Sequence, residues 1–152
     1  MDRKNLDDFE ILFTEAIQEL YLTREIRHES GEFGNGYILY HNNVLVFRLV
    51  SDKSMLFIEV GVKAEPSELF DLSLIVNYVN NLDLLHKNTI ADQVKFLCIN
   101  SKTITDMFKT KYKETTKVLQ QLQKERAVRS IDKLQTGDVQ EYWKTGKIDK
   151  FS

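Results

Sequence analysis

Three histidines, one cysteine and a few grouped carboxylates are the residues with which this chain would do metal, nucleophilic or acid–base chemistry. A zinc site gathers about four ligands in recognisable clusters. His28, His41 and His86 lie far apart, and none has a second ligand at helical or strand spacing. Cys98 lacks a Cys-x-x-Cys partner and stands one turn after Val94 on the apolar side of a short helical stretch. It reads as a buried structural thiol, cysteine being among the most often buried residues. A Cys98–His86 or Cys98–His41 dyad is the nucleophilic alternative. The glycine-rich Gly31–Gly36 stretch precedes a strand, whereas a phosphate cradle needs such a loop to open a helix. No Gly-x-Ser-x-Gly elbow is present. Metal, cofactor and covalent catalysis are therefore not expected.

The carboxylates fall in two groups, Asp7-Asp8 and Glu65, Glu68 and Asp71. Both precede or open apolar stripes of helical period, where the helix dipole favours negative charge. Arg48 and Glu59 are expected on one face of a sheet as diagonal cross-strand neighbours, which suits a structural ion pair.

The elements that would position these residues are legible from turns and periodicity. GYILYHNNVLVFRLVSDKSMLFIEVGVK, residues 36–63, reads as a three-stranded antiparallel meander. Asn42-Asn43 suits a two-residue hairpin loop, because asparagine tolerates positive φ, and Asp52-Lys53 is the second loop. This register sets Ile38 opposite Phe47 and Phe47 opposite Ile58. Tyr40, Leu45 and Val60 form the next row, and Leu49 pairs with Leu56. All share one apolar face, since strand side chains alternate with period two. The opposite face carries Tyr37, Leu39, Val46, Arg48, Phe57 and Glu59, a mixture of aromatic, aliphatic and charged groups.

Apolar residues at three-to-four spacing predict a first helix over about Leu6–Arg27, closed by the glycines of HESGEFGN. Pro66, the only proline, marks a helix start, with a stripe from Leu69 to Leu82. Thr89 followed by Asp92 resembles a capping box, with Asp in place of Glu, for a short helix through Leu97, and Asn100-Ser101 offers a break and a new cap. A last long helix is expected over Lys102–Val128, with a seam of Ile104, Phe108, Tyr112, Thr115, Leu119 and Leu122. Beyond Arg129 the pattern fades, and residues 130–152 read as a tail in which Val139, Tyr142 and Trp143 offer a short docking helix. The fold class is α+β: an antiparallel sheet of three strands or slightly more, in one domain over residues 1–129, packed by the helices at 6–27 and 67–85. A chain of 152 residues supports a core of that size.

Charge is uneven. Residues 1–100 hold 9 Lys and Arg against 16 Asp and Glu, a balance of −7; residues 101–152 hold 12 against 7, a balance of +5. The basic residues of the last helix alternate with Glu, Gln and Thr, on the arc opposite its aromatic seam. That is an ordinary amphipathic helix, and it argues against a nucleic-acid interface. No apolar run reaches the roughly 18 residues of a membrane span. The N-terminal MDRKNLDDFE has no signal-peptide core, so the expected compartment is the cytoplasm.

The order helix, loop, meander, helices resembles that of the small α+β immunity proteins found beside bacterial polymorphic toxins. The local likeness lies in NNVLVFRLVSDKSMLFIEVG followed by the acidic EPSELFDLSLI, about residues 35–82, a third of the chain. The resemblance implies a protein without catalysis that binds a cognate toxin, often through acidic and aromatic surface residues. Aromatics and arginine are enriched in binding hot spots, and complementary charge speeds encounter. The candidate partner-binding residues are therefore Tyr37, Arg48, Phe57 and Glu59 on the mixed sheet face, with Glu65, Glu68 and Asp71 at the acidic helix start. The rival readings are a small enzyme with an unrecognised site, which a deep pocket lined by His41, Glu59 and a perturbed carboxylate would favour, and a nucleic-acid-associated regulatory module using the basic C-terminal helix.

Overall fold

A computed structural model describes residues 6–30, 35–53 and 55–133 of the chain. Among these, five strands form one antiparallel sheet in the order β1-β2-β3-β4-β5: Thr23–Glu29, Gly36–His41, Leu45–Asp52, Met55–Val62 and Phe70–Asp71. The helices are α1 (Leu6–Glu19), α2 (Leu72–Val79), α3 (Ile90–Ile99), α4 (Ser101–Lys109) and α5 (Tyr112–Lys133). The fold is α+β. The predicted three-stranded meander is its centre, extended by one strand on each side.

The core face of the sheet is as expected. Ile38, Leu45, Phe47, Leu49, Ile58 and Val60 are fully buried, and Tyr40 nearly so. α1 packs over β2 and β3, while α2, α3 and α4 press on β4. The pairing itself differs from the expected register by two residues. Ile38 pairs with Leu49, Tyr40 with Phe47, Phe47 with Val60 and Leu49 with Ile58. Each hairpin turns one residue later than expected. Asn42 stays in the ladder, its N–H donating to Leu45 O at 3.0 Å, while its Oδ1 accepts from Val44 N and Leu45 N. In the second hairpin Asp52 pairs with Met55, and Lys53 takes the positive φ of 51°. A shift of two leaves every side chain on its expected face, because the strand period is two.

Four helical expectations are corrected. α1 stops at Glu19 instead of running to Arg27, and residues 23–29 form the edge strand β1. Tyr21 adopts φ 52°, and Leu22 N–H donates to Ile17 O at 2.9 Å, which is a Schellman ending without glycine. Pro66 does not open a helix. It sits inside a turn closed by Glu68 N–H to Glu65 O at 3.1 Å, where proline's fixed φ is equally suitable. α2 instead begins at Leu72, capped by Asp71, whose side chain accepts from Ser73 N. The expected long helix over Lys102–Val128 is two helices, broken at Thr110-Lys111, where both N–H groups donate to Asp106 O. The capping box at Thr89 and Asp92 is present. The helix after the break continues through residues 130–133, beyond the expected boundary at 129, and the segment with Val139, Tyr142 and Trp143 lies outside the described residues.

Candidate functional site

The side of the sheet away from α1 carries two adjacent rows of side chains that run across the strands. Tyr37, Val50 and Phe57 are successive cross-strand partners. His28 extends this row on β1, its ring 5.3 Å from that of Tyr37. The neighbouring row is Ile26, Leu39, Arg48, Glu59 and Asp71, again partner to partner. The alternation that buries Phe47 and Ile58 therefore turns Arg48, Phe57 and Glu59 outward.

Between these rows lies a hollow of about 420 Å³ lined by Tyr37, Arg48, Val50, Phe57, Glu59 and Asp71. Five of the seven residues singled out from sequence meet there. Arg48 and Glu59 are directly opposed, not diagonal as expected. Arg48 forks onto one oxygen, with Nε at 2.7 Å and Nη2 at 2.6 Å from Glu59 Oε1. Asp71 is held from two sides: Oδ1 accepts from Ser73 N at 2.9 Å and Oδ2 from Arg126 Nη1 of α5 at 3.2 Å. The charges thus alternate in blocks along the row, arginine, two carboxylates, arginine.

Glu65 and Glu68 are not part of this hollow. They belong to the turn that leads into β5, not to a helix start, which corrects the expected acidic patch. Glu68 Oε1 accepts a hydrogen bond from Gln120 of α5. Burial first, and then the charges of Glu68 and Glu65, push the Tyr112 phenol up. The turn crosses the outer face over Gly61. A Cβ on Gly61 would stand 2.5 Å from Glu68 O and 2.9 Å from Leu69 Cδ2. Only glycine lets the chain pass this close, and Val46, the cross-strand partner of Gly61, is buried.

A second hollow of about 470 Å³ adjoins the first and shares Phe57 and Asp71 with it. Its walls include Leu84 and Asn88 of the loop after α2, Gln93 of α3, and Arg126 and Ser130 of α5. A buried amide ladder fixes that loop. Asn77, fully buried, donates to His86 O at 2.9 Å and accepts from Asn88 Nδ2 at 2.9 Å. Gln93 Nε2 in turn donates to Asn88 O at 3.3 Å. Val50 was recoverable from alternation, two residues after Arg48. Arg126 carries no sequence signal, since only the tertiary path of α5 brings it to Asp71.

The residues set aside for chemistry stay dispersed. His41 pairs with Val46 and does not line the hollow that holds Glu59. Cys98 is half-buried, and burial together with Glu15 and Glu19 pushes its thiol up, away from the reactive thiolate. Among the described residues no three His, Cys, Asp or Glu side chains are placed to hold a metal, and no helix is long and apolar enough to cross a membrane. The chain matches no family model, no curated protein and no solved structure.

Proposed function

We propose that the chain is a non-catalytic protein-binding module that neutralises a toxin in the manner of an immunity protein, and that its partner docks on the outer sheet face. The observation that carries this reading is the convergence of Tyr37, Arg48, Phe57, Glu59 and Asp71 around one open hollow. Aromatic and arginine side chains supply the anchors from which protein interfaces draw most of their energy. The acidic balance of −7 over residues 1–100 favours a basic partner and a fast encounter with it. Blocking an active site or substrate path needs only occupancy, so no reactive group is required of this chain.

The test is co-expression with the product of the neighbouring reading frame, followed by affinity measurement on wild type and on a Phe57→Ala, Glu59→Ala double mutant. Wild type should form a stoichiometric complex. The double mutant should bind at least about 30-fold more weakly, the loss of one hot spot worth ~2 kcal/mol. Unchanged affinity with an intact fold removes this surface from the account. Turnover of a small molecule by the purified protein removes the non-catalytic reading.

A further inference from the structure

Resting on the binding role just proposed, we infer that the outer face receives an extended segment of its partner in which apolar side chains alternate with basic ones. The hollow has two unlike long sides. Tyr37, Val50 and Phe57 form an apolar side, and Arg48, Glu59 and Asp71 form a charged one. Rows two residues apart along a strand stand roughly 7 Å from each other, and β2 to β5 spans about 14 Å. An extended chain of about five residues covers that span and sends alternate side chains to opposite sides. One side of such a segment meets the aromatic row, and the other meets the charged row.

The sign of the charge follows from the hydrogen bonds. The lining carries Arg48 with Glu59 and Asp71, and Arg126 of α5 pairs with Asp71 from outside it, so the local charges balance and the sign is set by the acceptor left open, within a body whose residues 1–100 carry a balance of −7. Arg48 spends both its Nε and its Nη2 on Glu59 Oε1. Among the described residues no side chain hydrogen-bonds Glu59 Oε2, while both oxygens of Asp71 are engaged. Glu59 Oε2 is therefore the acceptor left for an incoming group, and Tyr37 and Phe57 line the same hollow from the other row. A lysine or arginine side chain sent to the charged row sets its charge on that carboxylate, while the apolar side chains that alternate with it meet the rings. An incoming carboxylate would meet Glu59 and Asp71 together, and like charges placed this close repel.

The probes are two capped heptapeptides, one alternating apolar residues with lysine and one with glutamate in place of lysine. Each is titrated into isotope-labelled full-length protein at low salt while backbone amide shifts are followed. The lysine peptide should give saturable shifts at Arg48, Phe57, Glu59 and Asp71 and bind at least tenfold tighter than the glutamate peptide. Its advantage should shrink as salt is raised. Glu59→Gln and Phe57→Ala should each weaken it about fivefold or more while leaving the rest of the spectrum in place. Equal binding of the two peptides, or saturable shifts confined to other surfaces, overturns the inference. So does a lysine peptide that fails to saturate. If that failure accompanies a partner complex that still depends on Phe57 and Glu59, the partner presents a folded surface and the binding role stands. If the complex is also indifferent to them, both readings fall.

Discussion

Phe47 and Phe57 lie on neighbouring strands of one sheet, yet the first is fully buried and the second is 38% exposed. Phe47 packs against Phe13 of α1, with ring centroids 5.8 Å apart. Phe57 divides two hollows. The same contrast separates the charges at the two faces. On the α1 side, Arg27 bridges Asp7, Glu10 and Glu29, and Arg24 and the Tyr40 hydroxyl complete the shell of Glu10. That cluster joins a helix to two strands. On the outer face, Arg48 spends two donors on one oxygen of one carboxylate, within the sheet itself. A charge cluster with partners from several elements holds the fold together. A pair that joins two already hydrogen-bonded strands adds little to the fold and leaves valence for a ligand.

The sharpest way to break this comparison is to truncate the two phenylalanines in turn. Phe47→Ala empties a core position and should cost about 3–5 kcal/mol in urea unfolding. Phe57→Ala, at a half-open position, should cost about 1 kcal/mol while abolishing most of the partner affinity. Similar losses of stability in the two variants would mean that the faces do not differ in the way described.

The division between faces is legible from alternation alone, even though both hairpins turn one residue later than their turn residues suggest. Moving a turn by one residue moves the register by two, and a shift of two preserves the face. For this reason Tyr37, Arg48, Phe57 and Glu59 came together as expected. What was not legible depends on conformations that lack a residue signature. Tyr21 takes a left-handed conformation usually given to glycine, which ends α1 early and hides β1 inside an apparent helix. β1 reads Thr-Arg-Glu-Ile-Arg-His-Glu, charged because it is an edge, so neither period nor hydrophobicity marks it. Pro66 fitted a helix start and a turn equally well. The break at Thr110-Lys111 contains no glycine or proline, although it sets the direction of α5 and hence places Arg126 on Asp71.

A smaller effect is expected where the α1-side cluster meets the core. Burial first, and then the hydrogen bond and charge of Glu10, raise the Tyr40 phenol well above its ordinary value. The folded state thus holds the proton more tightly than the unfolded chain does. The stability this contributes is complete below the unfolded value of about 10 and is lost as pH climbs above it, toward the higher folded value. Tyr40→Phe should lower stability by about 1.5 kcal/mol at neutral pH, the worth of a hydrogen bond to a charged acceptor. Its deficit relative to wild type should narrow above about pH 10, which urea midpoints at pH 8 and pH 10.5 would show. A deficit that widens with alkalinity would contradict the assignment. Tyr112 and Cys98 are raised in the same direction but are present in both proteins, so they cancel in the difference.

The smallest effect should come from the outer pair itself, and it is the most discriminating. The Arg48 side chain is 41% exposed and that of Glu59 27%, so water screens much of their attraction. The strands that carry them are already joined by the β3–β4 ladder, so the ion pair orders nothing that the backbone has not ordered. A double-mutant cycle of Arg48→Ala and Glu59→Ala in urea unfolding should give a coupling energy of about 0.2–1 kcal/mol. The same cycle on Arg27→Ala and Glu10→Ala should give a clearly larger value, because those groups connect α1 to β1 through shared partners. If the two couplings are equal, Arg48 and Glu59 are a stitch like the other cluster, and their place beside an open hollow carries no functional meaning. A weak coupling for folding together with a strong loss of partner affinity would show that the same two side chains serve the interface more than the fold.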